Sequence, residues 1–207
     1  MAVIHRTTMV PTKMELLASW LPSRAWYRGA NQADLRKAGG FRLDDPEGEV
    51  GIEFLAVTDR SGARPCTYHV PLTYRGSPLP QAGDALVGTS EHGVLGTRWV
   101  YDATRDPVAV AQIVALLTGK ARPQAQNESN APDSSVTVRS ADMLSLAKGF
   151  GIAREESVCT DIPVGDRTVR VHRVLQGSEP AAAGYVVAPW RLADGTRVSG
   201  VFIELAA

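Results

Sequence analysis

The clearest sign of a sheet is the run Val50-Gly-Ile-Glu-Phe-Leu-Ala-Val-Thr-Asp-Arg-Ser-Gly-Ala-Arg-Pro-Cys-Thr-Tyr-His-Val-Pro-Leu-Thr-Tyr74. Apolar residues recur at every second position from Val50 to Ala56, which indicates a strand with one buried face. Residues 59–62 have the composition of a turn, and a β-rich stretch returns from Cys66 to Tyr74. Because short loops favour antiparallel pairing, the run predicts two neighbouring strands of an antiparallel meander.

One helix is predicted before this run and a second helix after it. The first covers residues 11–21, because a Thr-x-x-Glu capping box at Thr12 precedes apolar residues at helical spacing. The second begins after Asp106, a good N-cap residue, with Pro107 at its first position and Gly119 at its end. We expect both helices to lie on one face of the sheet, which gives an α+β fold.

Further strands are predicted on both sides of a polar, proline-containing stretch at residues 122–135. Before it, strands at 85–88 and 98–101 flank a glycine-rich loop. After it come a short helix over 141–148 and several strands, with an Asp-Gly hairpin turn at residue 194. We therefore expect a curled, mostly antiparallel α+β domain over residues 1–121, a linker over 122–135 and a small β-rich segment over 136–207.

Composition and charge argue against several classes of protein. The 207 residues are 44% hydrophobic and 21% charged, which is typical of a globular protein. Lysine plus arginine and aspartate plus glutamate each number 22, so no basic excess is present to bind nucleic acid. The longest apolar stretch, residues 108–117, is shorter than the ~20 residues of a membrane span, and the N-terminus lacks a signal-peptide pattern. We expect a cytoplasmic protein that binds neither nucleic acid nor membranes.

The segment Trp20-Leu-Pro-Ser-Arg-Ala-Trp-Tyr-Arg-Gly29 resembles the opening motif of actinobacterial maltokinases, whose N-terminal cap begins with Trp-Leu, an arginine, an aromatic pair and a glycine. Three later segments extend the resemblance: Thr-Tyr-His-Val-Pro-Leu at 67–72, Ala-Leu-Val-Gly at 85–88 and Trp-Val-Tyr-Asp at 99–102. In that family the cap is an antiparallel sheet around a helix, likened to cystatins, and it sits on the N-lobe of the kinase. The resemblance covers about residues 10–130 and implies a cystatin-like cap here.

The groups that a kinase needs are not found in these 207 residues. Residues 165–174 faintly resemble the kinase strand that carries the ATP-binding lysine, but Arg170 or His172 would occupy its place. The sequence contains no His-x-Asp catalytic loop and no Asp-x-Asp motif for magnesium. Because phosphoryl transfer depends on such groups, the resemblance implies a free-standing, cap-like protein rather than a kinase, and we expect no cofactor.

Two groups of residues are candidate binding sites. Trp26, Tyr27 and Arg28 offer aromatic faces and a guanidinium, which are residue types enriched at binding hot spots. The alternative is a structural anchor against the first helix and the sheet, which we favour for Trp26. Glu91 and His92 could form an acid/base pair in a glycine-flanked loop, and the alternative is two loop residues engaged in local hydrogen bonds.

The two cysteines, Cys66 and Cys159, are interpreted as reduced, buried thiols. Cys66 could act as a nucleophile if His69 or His92 lay within hydrogen-bond reach. However, Cys66 and His69 are three positions apart, which places them on opposite faces of a strand. No metal site is expected, because zinc needs about four converging ligands. Catalytic residues therefore stay unassigned.

From these observations we predict a noncatalytic, cap-like accessory protein of α-glucan, maltose or trehalose metabolism that binds a partner enzyme or a carbohydrate. Two alternatives stay open. One is a small enzyme of unknown reaction that uses the Glu91/His92 pair or Cys66, and a pocket with converging polar groups would favour it. The other is a structural module that forms a homo-oligomer, which an exposed apolar patch without a pocket would favour.

Overall fold

Every strand of the described residues belongs to one antiparallel sheet. The computed structural model describes residues 8–80, 82–128, 131–141 and 149–206. The strands in these parts are β1 (Met9–Val10), β2 (Leu35–Leu43), β3 (Gly51–Asp59), β4 (Cys66–Arg75), β5 (Leu86–His92), β6 (Gly96–Asp102), β7 (Thr137–Arg139), β8 (Arg154–Glu155), β9 (Cys159–Val164), β10 (Arg167–His172), β11 (Tyr185–Arg191) and β12 (Arg197–Ala206). The helices are α1 (Lys13–Trp20) and α2 (Pro107–Leu117), and 3₁₀ turns lie at Leu21–Ser23, Gly83–Ala85 and Ala103–Arg105. The predicted combination of a mostly antiparallel sheet with helices is confirmed.

Both predicted helices are present, with the predicted caps. At the start of α1 the Thr12 side chain accepts a hydrogen bond from the Glu15 N–H, and the Glu15 carboxylate accepts one from the Thr12 N–H at 2.7 Å. At the start of α2 the Asp106 carboxylate accepts from the Val108 N–H at 3.0 Å. After α2 the chain turns at Gly119, whose φ of +75° lies in the left-handed region that favours glycine.

β3 is buried on both faces, although the sequence pattern predicted one buried face. Ile52, Phe54 and Ala56 belong to a core that includes α2, whereas Leu55 and Val57 belong to a second core that includes α1. Successive residues of a strand point to opposite faces, so the two helices cover opposite faces of the sheet. The expectation that both helices lie on one face is therefore wrong, because β3 carries apolar residues on both sides and each side needs a cover.

The strands follow one another across the sheet in the order β1-β5-β6-β4-β3-β2-β11-β12-β10-β9-β8, and β7 pairs with β11. β11 joins β2 at Trp190 and Gly39, so the strands of the C-terminal segment extend the same sheet. The predicted linker also contacts this sheet, because Gln124 exchanges two backbone hydrogen bonds with Arg42, at 2.8 and 2.9 Å. The division into residues 1–121, 122–135 and 136–207 stays a prediction, since pairing within a sheet does not show which parts fold independently.

A hairpin replaces most of the glycine-rich loop expected between residues 88 and 96. The strand predicted at 85–88 is β5, which begins at Leu86 and continues to His92. Its partner β6 begins at Gly96, where φ is +68°, so residues 93–95 form the turn. Pairing of β5 with both β1 and β6 holds these polar residues in a strand despite their turn-like composition.

The helix predicted over residues 141–148 and the cystatin-like arrangement both stay predictions. The short helix predicted over 141–148 falls almost entirely on residues 142–148, which lie outside the described residues. The cystatin-like arrangement remains an expectation from the resemblance. In the described parts of the chain, no helix has the length and apolar character that would allow it to cross a membrane.

The edge of β4 that faces away from β3 changes its partner along its length. Its C-terminal half pairs with β6, where Leu72 lies opposite Asp102. Its N-terminal half contacts the segment after β10, where the His69 N–H donates to the Arg173 carbonyl at 2.9 Å. The sheet thus curls back on itself without closing. This edge of β4 is split between Asp102 and Arg173, and the split positions the site described below.

Candidate functional site

Trp26, from the first predicted binding group, is fully buried. Its ring centroid lies 6.0 Å from that of Trp20 and 5.7 Å from that of Tyr68. The Arg173 guanidinium lies over the Trp26 ring, 5.0 Å from its centroid. These contacts match the packing anchor that the sequence favoured for Trp26, and full burial leaves no ring face open to a ligand.

Tyr27 and Arg28 lie closer to the surface than Trp26. The Tyr27 hydroxyl is 2.7 Å from Oδ2 of Asp59, and its ring centroid is 5.6 Å from that of Tyr68. Arg28 is exposed, and its backbone N–H donates to the Tyr68 hydroxyl at 2.8 Å. Within this group, Arg28 therefore offers a guanidinium to solvent, while Tyr27 helps to hold the loop on the sheet.

Glu91 and His92 lie at the end of β5, not in a loop as predicted. The Glu91 carboxylate accepts from the Thr97 hydroxyl at 2.7 Å, and Nδ1 of His92 accepts from the Leu95 N–H at 3.1 Å. Successive residues of a strand point to opposite faces, so the backbone does not direct both side chains at one substrate atom. The two predicted groups also lie on different elements, since Trp26 follows the 3₁₀ turn after α1.

The side chains of Cys66 and His69 lie on opposite faces of β4, as their spacing predicts. Cys66 packs on the core that includes α1, whereas the His69 ring lies 4.5 Å from the Phe202 ring in the core that includes α2. Burial raises the pKa of the Cys66 thiol, while burial and then the Arg173 charge lower the pKa of His69 to about 3. Both groups are therefore neutral near neutral pH, unlike the thiolate–imidazolium pair of a cysteine enzyme.

The residues in the place of the kinase lysine both lie beside carboxylates on one face of β10. Arg170 places Nε and Nη2 at 2.8 and 2.7 Å from the two carboxylate oxygens of Asp161. This hydrogen bonding holds the pKa of Asp161 below its ordinary value. Nε2 of His172 lies 3.1 Å from the Glu204 carboxylate. Across the described ranges, no group of three or more histidine, cysteine, aspartate and glutamate side chains is arranged to hold a metal ion.

Arg173, which the sequence analysis did not select, is a fully buried cation at the split in the sheet. Its Nη2 lies 2.5 Å from the Asp102 carboxylate and 3.1 Å from the Thr104 hydroxyl. Its Nε donates to the Thr160 hydroxyl at 2.8 Å. A buried charge needs an opposite charge and hydrogen bonds to compensate for its lost hydration. Arg173 therefore joins the end of β6 to β9 across the split.

A polar cleft of about 280 Å³ lies over this buried network, and we call it the split cleft. Its lining includes Trp20, Arg24, Asp84, Asp102, Arg105 and Glu155. The Thr104 and Thr160 hydroxyls that contact Arg173 belong to residues that also line it, so the network forms the floor of the cleft.

One ion pair and one hydrogen bond to a backbone carbonyl connect the two walls of the split cleft, and a second ion pair lies within one wall. Nη1 of Arg24 lies 3.5 Å from the Glu155 carboxylate, which joins the segment after α1 to β8. Nη2 of Arg105 pairs with Asp84, and Nη1 of Arg105 donates to the Ala153 carbonyl at 2.8 Å. One wall therefore comes from residues before 106 and the other from residues after 152.

One sequence signal could have pointed to this site. Val169 and Val171 are buried residues of β10, and Arg173 continues their alternation into the core. A charged residue at a buried position of a strand indicates a paired internal charge. Asp102 belongs to the Trp-Val-Tyr-Asp segment already noted for its resemblance to the maltokinase cap, but no local pattern connects it with Arg173.

Comparison with known families supports the resemblance seen in the sequence. Residues 20–106 match the family model described as the maltokinase N-terminal cap domain. The matched segment contributes Trp20, Arg24, Asp84 and Arg105 to the split cleft, whereas Glu155 lies beyond it. The match connects this segment with maltokinases and thereby with carbohydrate metabolism. Residues 20–106 are thus similar to the maltokinase N-terminal cap domain.

Proposed function

We propose that the protein is a noncatalytic, cap-like accessory protein of α-glucan, maltose or trehalose metabolism, which acts in the cytoplasm by binding a partner enzyme or a carbohydrate. The observation that carries the proposal is that the matched cap segment forms one wall of the split cleft and residues 153–160 form the other. A concave site with a few converging polar groups is the usual form of a ligand site. A fold alone does not define a function, so the support comes from the cleft.

An apolar surface beside the split cleft supports binding to a partner enzyme. A second hollow, of about 320 Å³, shares Thr104, Arg105 and Ala153 with the cleft. Its lining also includes Phe150, Ile152 and Val110. Ile152 is 77% exposed and Phe150 is 41% exposed. Clustered, exposed apolar side chains are typical of surfaces that contact another protein. This hollow is therefore the surface we assign to the partner enzyme.

The two alternatives from the sequence stay untested predictions with less support from the geometry. Cys66 is a neutral thiol with no histidine base on its face of β4, and Glu91 and His92 point to opposite faces of β5. A structural homo-oligomer would use the same apolar hollow, but it would give no role to a polar cleft.

A turnover assay tests the noncatalytic part of the proposal. The purified chain is incubated with ATP, magnesium and maltose, and maltose 1-phosphate is followed by phosphorus NMR, with an active maltokinase as the positive control. We expect no product, because the sequence lacks the ATP-binding lysine, the catalytic loop and the metal-binding aspartates of a kinase. Maltose 1-phosphate formed by clean protein would contradict the proposal.

A binding assay tests the accessory role. Sedimentation velocity of the chain mixed with a maltokinase should show a complex, and Ile152→Ser should weaken it at least about tenfold if Ile152 is a buried anchor of the contact. Val94→Ser is the matched control, because Val94 is 60% exposed but lies in the β5–β6 turn. If the chain binds neither a maltokinase nor any of the sugars named below, the proposed function is wrong.

A further inference from the structure

We infer that the split cleft is a binding site for a small, uncharged saccharide that contacts both walls at once. This inference rests on the proposed binding function and goes beyond it by assigning the ligand class and the residues. Three observations lead to it: the balance of charge in the cleft, the mixture of hydrogen-bonding groups in its lining, and its size.

The charges at the split cleft compensate one another. Three guanidiniums, from Arg24, Arg105 and the underlying Arg173, meet three carboxylates. Each carboxylate pairs with one of these cations, and the Asp102–Arg173 pair belongs to the floor of the cleft. A phosphorylated ligand or an amine finds no uncompensated opposite charge in this lining, so little compensates for the hydration that its own charge loses. An uncharged ligand can enter while all three pairs persist.

The lining also provides both kinds of hydrogen-bonding group that a sugar hydroxyl uses. Arg24 and Arg105 have N–H groups beyond those engaged in their ion pairs, and the carboxylates of Asp84 and Glu155 have further acceptor capacity. A hydroxyl donates and accepts, so a ring with several hydroxyls can engage both at once. Hydrogen bonds to charged groups are stronger than those between neutral groups, which favours binding despite competition from water.

An aromatic wall completes the lining. Trp20 lines the cleft, and the Arg24 guanidinium lies over its ring, 4.7 Å from the centroid. This stacking holds Arg24 in a fixed orientation. With a volume of about 280 Å³, the cleft lies just below the usual range of small-molecule sites, about 300–1,000 Å³. This size suits one or two pyranose rings rather than a long glucan.

The ligand in this cleft would join the two walls. Asp84 and Arg105 belong to the matched cap segment, whereas Glu155 belongs to β8. A saccharide that contacts both sides adds new contacts between the cap segment and the C-terminal strands. Binding should therefore stabilise the folded protein, by an amount that rises with the logarithm of the free saccharide concentration once that concentration exceeds the Kd.

Ligand-observed NMR with the whole chain tests the inference. The probes are glucose, maltose and trehalose as uncharged sugars, glucose 6-phosphate as an anion and glucosamine as a cation. We expect saturation transfer to at least one uncharged sugar. Glucose 6-phosphate and glucosamine should bind at least about fivefold more weakly than glucose or its disaccharides, because neither charged probe finds an uncompensated opposite charge.

Asp84→Asn is the decisive variant, because it removes one carboxylate and leaves Arg105 without its ion-pair partner. Asp84 is well exposed, with 62% of its side chain accessible, so this variant should fold normally. We expect the affinity for the uncharged sugar to fall about tenfold and that for glucose 6-phosphate to rise. Glu179→Gln, on an exposed loop outside the cleft, is the matched control and should bind all five probes as the wild type does.

The outcomes separate this inference from the proposed function. If no uncharged sugar binds, or if glucose 6-phosphate binds tighter than every uncharged sugar, the inference is wrong, whereas a complex with a maltokinase would still support the accessory role. If sugars bind but Asp84→Asn and Glu179→Gln behave alike, the sugar site lies elsewhere and the inference is also wrong. Formation of maltose 1-phosphate would instead overturn the proposed function.

Discussion

His69 should make the protein less stable in mild acid, because its imidazole is held neutral inside the core. It is fully buried, its Nδ1 lies 3.0 Å from the His172 carbonyl, and the Phe54 and Phe202 rings lie against it. Burial, and then the Arg173 charge, lower the pKa of His69 to about 3 from the ordinary value of 6.5. In an unfolded chain the same imidazole regains its ordinary pKa.

The sign and size of the effect follow from the two pKa values. Between pH 6.5 and about pH 3 the unfolded chain binds a proton that the folded protein does not, so the free energy of unfolding rises with pH. The contribution is complete above pH 6.5 and decreases as the pH falls below it. At about pH 5 the unfolded imidazole lies 1.5 pH units below its pKa of 6.5, which at about 1.4 kcal/mol per unit costs about 2 kcal/mol.

The assay is urea denaturation, followed by tryptophan fluorescence at several pH values between about 5 and 7.5. His69→Asn keeps a polar group near the Nδ1 position but has no titrating ring. This variant should be less stable than the wild type at every pH, because the smaller side chain leaves a cavity. Its free energy of unfolding should also vary less with pH, because the change of about 2 kcal/mol that His69 contributes between neutral pH and about pH 5 is absent. His92→Asn is the control, since His92 lies in β5, which does not pair with β4. If His69→Asn shows the same pH dependence as the wild type, His69 is not the buried neutral group described here.

The remaining predictions concern the helices and the connection between the two parts of the chain. Leu17→Ala and Ile113→Ala should each lower the free energy of unfolding by ~2–5 kcal/mol, because both side chains are fully buried. The same change at an exposed valine should cost little. If both variants have the denaturation midpoint of the wild type, the buried faces of the helices are wrongly assigned. Thr12→Ala should cost ~0.5–2 kcal/mol by removing the capping box of α1, and an unchanged melting temperature would refute that role. Limited proteolysis should cut first within residues 122–135, and the two pieces should stay together on gel filtration because their strands share one sheet. First cleavage within residues 50–70, or separate elution of the pieces, would contradict this expectation.

Short-range chemistry explains why much of the fold could be predicted. The capping box at Thr12 and the N-cap residue Asp106 act within one helical turn, so their effect can be deduced from a few neighbouring residues. The run from Val50 to Tyr74 also forms its hairpin through a short turn, so its antiparallel pairing follows from local spacing. The resemblance of residues 20–106 to the maltokinase cap rests on such local packing motifs as well.

Local spacing could not predict which helix packs on which face of the sheet. β3 carries apolar residues on both sides, but its sequence does not specify which helix covers which side. That choice depends on where α1 and α2 arrive after long connections, and on the C-terminal strands that complete the core around α2. The strand structure of Glu91 and His92 has a similar origin, because pairing with β1 and β6 overrides their turn-like composition.

The candidate site depends almost entirely on contacts that are distant in sequence. Asp102 and Arg173 are 71 positions apart, and neither has a local pattern that indicates its partner. Arg24 meets Glu155 because β4 changes its partner along one edge and the chain crosses that split from both sides. Residue spacing carries information over a few positions, since caps, turns and strand alternation act over that range. A cleft between two walls depends on how the whole sheet curls, and only the folded chain brings its charges together.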